Sequence, residues 1–488
     1  MKNNKIFIYI VASSIFFTTS CNKFLEHQPD DRTELTSPVK VAELLANAYP
    51  HANYIAFAEA MSDNAGDKGT TERFLPNTSP WNYIDQIDAA SEDTPPFYWN
   101  SCYKAIAAAN YALEAIEKAG NTPEYSASKG EALVARAYAH FMLVTFFSKT
   151  YDKATATSSP GIPYVTLPQR TVEGDYNRGT VASVYENIEK DLIAGIPLIQ
   201  NNKYRVPKYH FTTQAAHAFA TRFYLFKQDY EKVVEHANAV FPGATVLENL
   251  RPWNTTYAGL GYYELQALYT NSIEPANLLL QEASSYWGRN YGGYNYGLSS
   301  GVRATVFNAA NNPTKKALAM NTKVFGGNET VYNIPKFREH FVKETISATV
   351  GDGYNMVPLL TSEEVLFNRA EANARLGHHV EAITDLDRYL SKRIMGYSAS
   401  DKFSEEKAVS FFSTLSVGDA LVATVLNFKR MEYMHEGLRW LDILRNNIVV
   451  EHVHANGIDK IVLGVDDPRR LIQIPQDAVA AGLEANPR

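Results

Sequence analysis

Cysteine is nearly absent: the 488 residues hold two, Cys21 and Cys102. If Cys21 is modified at an exported N-terminus, Cys102 has no partner, and a disulfide framework is excluded. Cys102 lies in an alanine- and tyrosine-rich stretch with Lys104 as its basic neighbour. It reads as a small buried hydrophobe rather than a reactive thiol. Long apolar runs are also missing. Ile6–Phe17 is too short to cross a bilayer core of roughly 30 Å as a helix, and no second run is longer. Surplus positive charge is lacking: the formal charge is −7, and loss of Lys2 and Lys5 with residues 1–20 brings it to −9. Phosphate backbones need clustered Lys and Arg, so a nucleic-acid binder is excluded. No His-Glu-x-x-His and no phosphate loop occur.

What is present begins at the N-terminus. Lys2 and Lys5 precede the apolar run, and Thr18, Thr19 and Ser20 lead into Cys21. A basic start, a short apolar segment and a small-residue site describe a secretory signal. A cysteine at that point predicts a bacterial lipoprotein, cut before Cys21 and acylated on it. The alternative is an ordinary signal peptide followed by a chance cysteine. Several acyl chains would hold the mature body stably at a membrane.

Hydrophobic content of 45% suffices for a large core. The reading divides the chain into a signal peptide (1–20), a lipidated tether (21–40), a helical body (41–240 and 361–488) and an irregular subdomain (241–360). Helical spacing of apolar residues marks Ala105–Ala119, Gly130–Phe147 and Val181–Leu198. Two helix hairpins are expected, Thr212–Phe226 with Tyr230–Val240 and Ser362–Leu376 with Val380–Leu390. Small residues (Ala216, Ala220; Ala370, Ala374) recur where such helices would pack closely, as in tetratricopeptide repeats. A final helix is expected from Leu421 to Arg445, and an extended tail over Val462–Arg488. Between 241 and 360, Gly, Asn and Tyr become frequent and periodicity fades; so long an irregular stretch is usually functional.

The densest unusual cluster is Tyr286, Trp287, Tyr291, Tyr294 and Tyr296, interleaved with Gly288, Gly292, Gly293 and Gly297. The glycines allow the backbone to bend so that rings can be presented. A Tyr or Trp face accepts the C–H groups of a sugar ring, with Arg289, Asn290 and Asn295 as hydrogen-bonding partners. Packing of an irregular subdomain is the equal alternative. A second group, Asp67, Arg73, Asn77, Trp81, Asn82 and Tyr83, leans toward packing. Tyr257, Tyr262 and Tyr263 form a third. Glu432 and Glu436 would share one helix face, which does not suit a glycosidase pair set across a bond. Glu436 with Arg439, Asp442 with Arg445, Glu131 with Arg136 and Arg369 with Glu371 suit ion pairs. His378 with His379, His452 with His454, and Asp352 fall short of a metal site. No metal and no cofactor is expected.

Several stretches, taken in order, resemble the RagB/SusD family of outer-membrane nutrient-binding lipoproteins. They are Cys21 through Phe24-Leu25-Glu26 to Pro29; Tyr98-Trp99 through Tyr103, Ile106 and Asn110; and Gly130-Glu131-Ala132 with Arg136-Ala137-Tyr138 and Phe141. Leu366 through Arg369-Ala370-Glu371-Ala372 to Leu376-Gly377 follows, then Arg430, Glu432, Glu436-Gly437, Arg439-Trp440, Asp442 and Arg445. Leu471 to Pro475 and Asn486-Pro487 complete the series. Ser148 stands where the family has glycine, and Gly161–Pro163 comes late. The resemblance implies a mainly α, tetratricopeptide-like body with a loop-rich binding subdomain. It also implies an outer-membrane, surface-exposed location, a TonB-dependent (SusC-like) transporter barrel as partner, an oligosaccharide ligand and no catalysis. Peptide capture, an exported glycoside hydrolase and a protein–protein scaffold are the alternatives.

Overall fold

Helix starts are written into this chain as hydroxyl caps. Thr94 accepts from the Phe97 amide, Thr212 from Ala215, Thr361 from Glu364 and Ser416 from Asp419; each satisfies an amide that the first turn leaves orphaned. The computed structural model describes residues 35–71, 74–168, 176–326, 331–343, 345 and 347–488. The signal segment, Cys21, the tether as far as residue 34, and Arg73 lie outside the described residues.

The fold is mainly α, as expected. Pro38–Leu45 (α1), Ile55–Met61 (α2) and Leu75–Trp81 (α3) lead into Pro95–Lys118 (α4), Ser126–Phe147 (α5) and Val181–Gly195 (α6). Helix α5 is buried all round from Gly130 to Phe147 and packs against both α4 and α6; it is apolar on most of its surface, and its buried Glu131, Arg136 and His140 are each hydrogen-bonded. Cys102 on α4 is fully buried, and burial pushes its thiol up, in keeping with an inert role. Thr213–Lys227 (α7) and Tyr230–Val240 (α8) form the first expected hairpin. It turns at Gln228, in the left-handed conformation at φ 60°.

The second half adds Tyr262–Tyr269 (α9), Ser300–Val306 (α10), Ser362–Arg375 (α11), His379–Ser391 (α12), Glu405–Phe411 (α13), Val417–Glu432 (α14) and Leu438–Arg445 (α15). The hairpin α11–α12 packs beside α7–α8 in the manner of stacked repeats. The single helix expected over Leu421–Arg445 is instead two. His435 (φ 75°) and Gly437 (φ 70°) break it. Glu59 of α2 holds the break, accepting from the His435 amide at 2.7 Å and the Gly437 amide at 2.9 Å.

The subdomain is not merely irregular. Gly66–Asp67 (β1) pairs with Tyr296–Gly297 (β3). Asn277–Ser284 (β2), Glu339–Lys343 (β4) and Gly351–Thr361 (β5) form an antiparallel sheet of order β2-β5-β4, with Gln281 opposite Val357 and Phe341 opposite Gly353. Val450–Val453 (β6) and Lys460–Leu463 (β7) make a separate hairpin. The tail lies over the body, with the Asn486 side-chain amide donating to the carbonyls of Phe147 and Ile472, but it is not extended throughout, since Pro468–Arg470 and Gln476–Ala480 are short helices.

A buried ionic seam joins subdomain and body. Arg393 donates to Glu432 at 2.8 and 2.9 Å and to Glu363 at 3.2 Å, while Arg251 donates to Glu363 at 2.8 Å. All four side chains are fully buried. Burial raises the Glu363 carboxyl; it also opposes ionisation of Glu432, but there the Arg393 guanidinium wins and holds the carboxyl below its ordinary value.

Candidate functional site

The aromatic cluster turns inward. Trp287, Tyr291 and Tyr294 are buried. Trp287 packs on Tyr291 with centroids 5.6 Å apart, Tyr294 stacks on Phe74 at 5.3 Å, and the Tyr291 hydroxyl donates to the Ile334 carbonyl at 3.1 Å. The segment is bent by a polar hub. The Ser285 hydroxyl donates to Asp93 at 2.6 Å and accepts from the Trp287 amide at 3.0 Å, while the Tyr286 amide donates to Asp93 at 2.9 Å. Gly288 is required for close approach rather than for presenting rings: a Cβ there would sit 2.0 Å from Asn355 Oδ1. Presentation of Trp287, Tyr291 and Tyr294 to a ligand is therefore corrected to packing.

Of the second group, Asn77, Trp81 and Tyr83 are buried as well. Tyr296, Trp81, His452 and Tyr83 form a column of nearly parallel rings, with successive centroids 4.1, 4.8 and 5.2 Å apart. The Trp81 indole donates to the Ala65 carbonyl, and the Tyr83 hydroxyl to that of Met61, both at 2.8 Å. Asn295 is also internal: its Oδ1 accepts from the Thr70 amide and hydroxyl at 2.7 Å each. Trp81, Tyr83 and Asn295 thus hold three distant segments together. Of the expected set, Arg289 is exposed, and Tyr286, Asn290 and Tyr296 are half-buried. Arg289 pairs with Glu339 at 2.7 Å and lies between the rings of Tyr286 and Phe341.

The ion pairs also differ in partner. Asp442 does pair with Arg445, at 2.9 Å. Glu436, however, pairs with Lys336, Arg439 with Asp63, Arg136 with Asp191 and Arg369 with Asp385. Glu432 and Glu436 are consumed by the interior and face no cleft. Among the described residues no group of three or more His, Cys, Asp or Glu could hold a metal ion.

The open polar hollow lies just beyond the cluster. About 230 Å³ in volume, it is lined by Ser300, Arg303, Ala304, Phe307, Asn308, Asn321 and Tyr332. Helix α10 positions it, capped by the Ser299 hydroxyl, which accepts from the Val302 amide at 3.2 Å. The run Gly297-Leu298-Ser299-Ser300-Gly301 has Gly-x-Ser-x-Gly spacing. Ser299 nevertheless has ordinary extended backbone (φ −81°, ψ 168°), and no histidine lines the hollow; the spacing here marks a helix start. Phe307 is buried beneath. The Arg303 guanidinium lies 4.9 Å over the Tyr332 ring. Asn321 Oδ1 is buried, with no hydrogen-bond partner among the described residues. Next to Tyr332, Asn333 pairs with Phe325 through the backbone and accepts from the Tyr262 hydroxyl at 3.1 Å. Tyr263, 79% exposed, stands edge-on to Tyr262. The third aromatic group thus supplies the exposed rings, except Tyr257, which is buried and donates to Glu274. Arg303, Asn308, Asn321 and Tyr332 carried no motif; they are scattered singly, and only the fold gathers them.

Other hollows offer less for a polar ligand. One of about 210 Å³, lined by Trp99, Ile106 and Leu483 among others, is almost wholly apolar, and its Tyr103 hydroxyl is spent on the Pro163 carbonyl. A larger one, of about 530 Å³, lies between the α11–α12 turn and the start of α14, and its Arg375 is tied to Glu371.

The same fold is found in solved proteins described as members of the SusD superfamily. A SusD superfamily protein from Bacteroides thetaiotaomicron superposes with a TM-score of 0.67 at 20% identity, covering 93% of this chain and 100% of that one. A putative sugar binding protein from Bacteroides vulgatus gives 0.70 at 18% identity, covering 93% and 99%. A laminarin binding SusD-like protein gives 0.60 at 16%, covering 92% and 98%. Residues 23–225 match the SusD-like family model described as starch-binding associating with outer membrane. No curated protein matches the sequence. Over residues 23–225 the chain is thus similar to the SusD-like family, and its fold is that of solved SusD superfamily proteins.

Proposed function

We propose that this protein captures oligosaccharides at the cell surface, held to the outer membrane by lipid on Cys21, and passes them to a TonB-dependent transporter without catalysing a reaction. The observation that carries this reading is the α10 hollow. It combines an accessible ring (Tyr332), a cation (Arg303) and amides (Asn308, Asn321), the groups that engage a sugar's C–H face and hydroxyls. The family's starch-binding description and the laminarin-binding relative support the ligand class. The commitment of Glu432 and Glu436 to internal pairs supports binding without turnover. Among the described residues no helix is long and apolar enough to cross a membrane.

The test is calorimetric titration of a soluble form beginning after Cys21 against glycans and peptides, with each mixture then assayed for breakdown products. Glycan binding without products, weakened about three- to tenfold by Tyr332→Ala, is the expected result. Products, or binding to peptides alone, would overturn it. In cells, Cys21→Ala should leave the protein outside the membrane fraction; normal fractionation would refute the lipid anchor.

A further inference from the structure

Arginine in this protein is almost always neutralised. Even surface guanidinium groups find carboxylates: Arg289 with Glu339, Arg388 with Asp385, Arg469 with Asp467 and Arg488 with Asp85. Buried Arg178 and Arg470 donate to backbone carbonyls. Arg303 is different. Among the described residues its guanidinium has no hydrogen-bond or ion-pair partner, only the Tyr332 ring 4.9 Å away, and no acidic side chain lines its hollow. Exposed Arg205 and Arg338 are also unpaired among the described residues, but Arg205 lines none of the hollows described, and the hollow that Arg338 borders, of about 480 Å³, includes the Glu339 carboxylate. In a chain of net charge −7 the long-range field disfavours anions; any attraction for one must be local. A planar guanidinium held against a ring and lacking a carboxylate is pre-arranged to receive one in its fork. Exposed Asn308 in the same hollow offers its amide to a hydroxyl of the same ligand. Among glycans, a sugar acid carries both groups.

We infer that the α10 hollow selects an acidic glycan, with a uronic-acid carboxylate on Arg303, a hydroxyl of the same sugar at the Asn308 amide, and the ring stacked at Tyr332. This rests on the glycan-binding reading above and narrows it. The neutral amides alone would not discriminate; Arg303 does.

The experiment titrates the soluble form with tetramers of galacturonate, glucuronate, mannuronate and guluronate, each beside its carboxyl-reduced, neutral counterpart. At least one uronate should bind about tenfold more tightly than its reduced partner. That preference should shrink as salt is raised and vanish in Arg303→Gln, while Arg303→Lys keeps part of it. Arg303 is partly exposed and unpaired, so its variants should fold, which their melting temperatures will verify. If no uronate is preferred over its reduced counterpart, or if Arg303→Gln keeps the preference, the inference is overturned. Tight, Tyr332-dependent binding of the neutral tetramers would overturn it while leaving the glycan-binding reading intact. Binding of either series that Tyr332→Ala leaves unchanged would overturn both.

Discussion

Replacing Arg393 with methionine tests the ionic seam between subdomain and body. The guanidinium meets Glu432 through two bonds, Glu363 through one, and the Arg251 carbonyl at 2.8 Å. Methionine fills the stem but leaves Glu432 with only the Tyr389 hydroxyl and the Trp253 indole, at 3.1 and 3.2 Å. Breaking a buried pair costs about 3–5 kcal/mol, because the remaining charge is stranded. Unfolding entropy near 2.1 cal/mol/K per residue amounts to roughly 1 kcal/mol/K for a chain of this size, so the Tm should fall by about 3–5 °C. Glu432→Gln alone should cost a similar amount. The double variant should lose at least about 1 kcal/mol less than the sum of the singles, since each removes the other's stranded partner. Thermal melts and urea titrations followed by circular dichroism supply the numbers. A Tm for Arg393→Met within about 1 °C of wild type, or strict additivity in the cycle, would refute the account of the seam.

Three further outcomes are expected. Trp287→Ala should destabilise by about 3–5 kcal/mol through loss of a buried ring; an undiminished Tm with weakened glycan affinity would instead return this ring to the binding surface. Burial pushes the Asp93 carboxyl up to about 7 from 3.8. The folded state therefore holds its proton more tightly than the unfolded chain, and this contribution to stability is full below pH 3.8 and lost as pH rises through about 7. Asp93→Asn should flatten the decline of Tm over that window, and an unchanged slope would count against it. Gly437→Ala places a Cβ 3.0 Å from Ile55 Cα at a φ of 70°, costing about 1–2 kcal/mol in backbone strain alone; a neutral melt would show that the break between α14 and α15 relaxes.

The helical body was legible because its information is local. The spacing of Val184, Ile188 and Leu192, the alanines of α7 and α11, and the Thr and Ser caps sit within one turn of what they determine. The sheet was not legible. Residues 277–284 pair with residues some seventy positions later, and nothing in either segment names the other. Ion-pair partners failed for the same reason: Arg136 takes Asp191 on α6 rather than nearby Glu131, and the break at Gly437 depends on Glu59. Rings at 286–296 looked presentable because composition cannot say what will lie on top of them. Asp93 from one side and Phe74 from another close them in.

All five tryptophans, at positions 81, 99, 253, 287 and 440, are buried. The intrinsic fluorescence of this protein should therefore be blue-shifted and report on its interior. A sugar settling at the α10 hollow would meet tyrosine and arginine but no indole, and would pass optically unseen. Absence of an emission change on titration would then be no evidence against binding. A real change would mean that the core had moved.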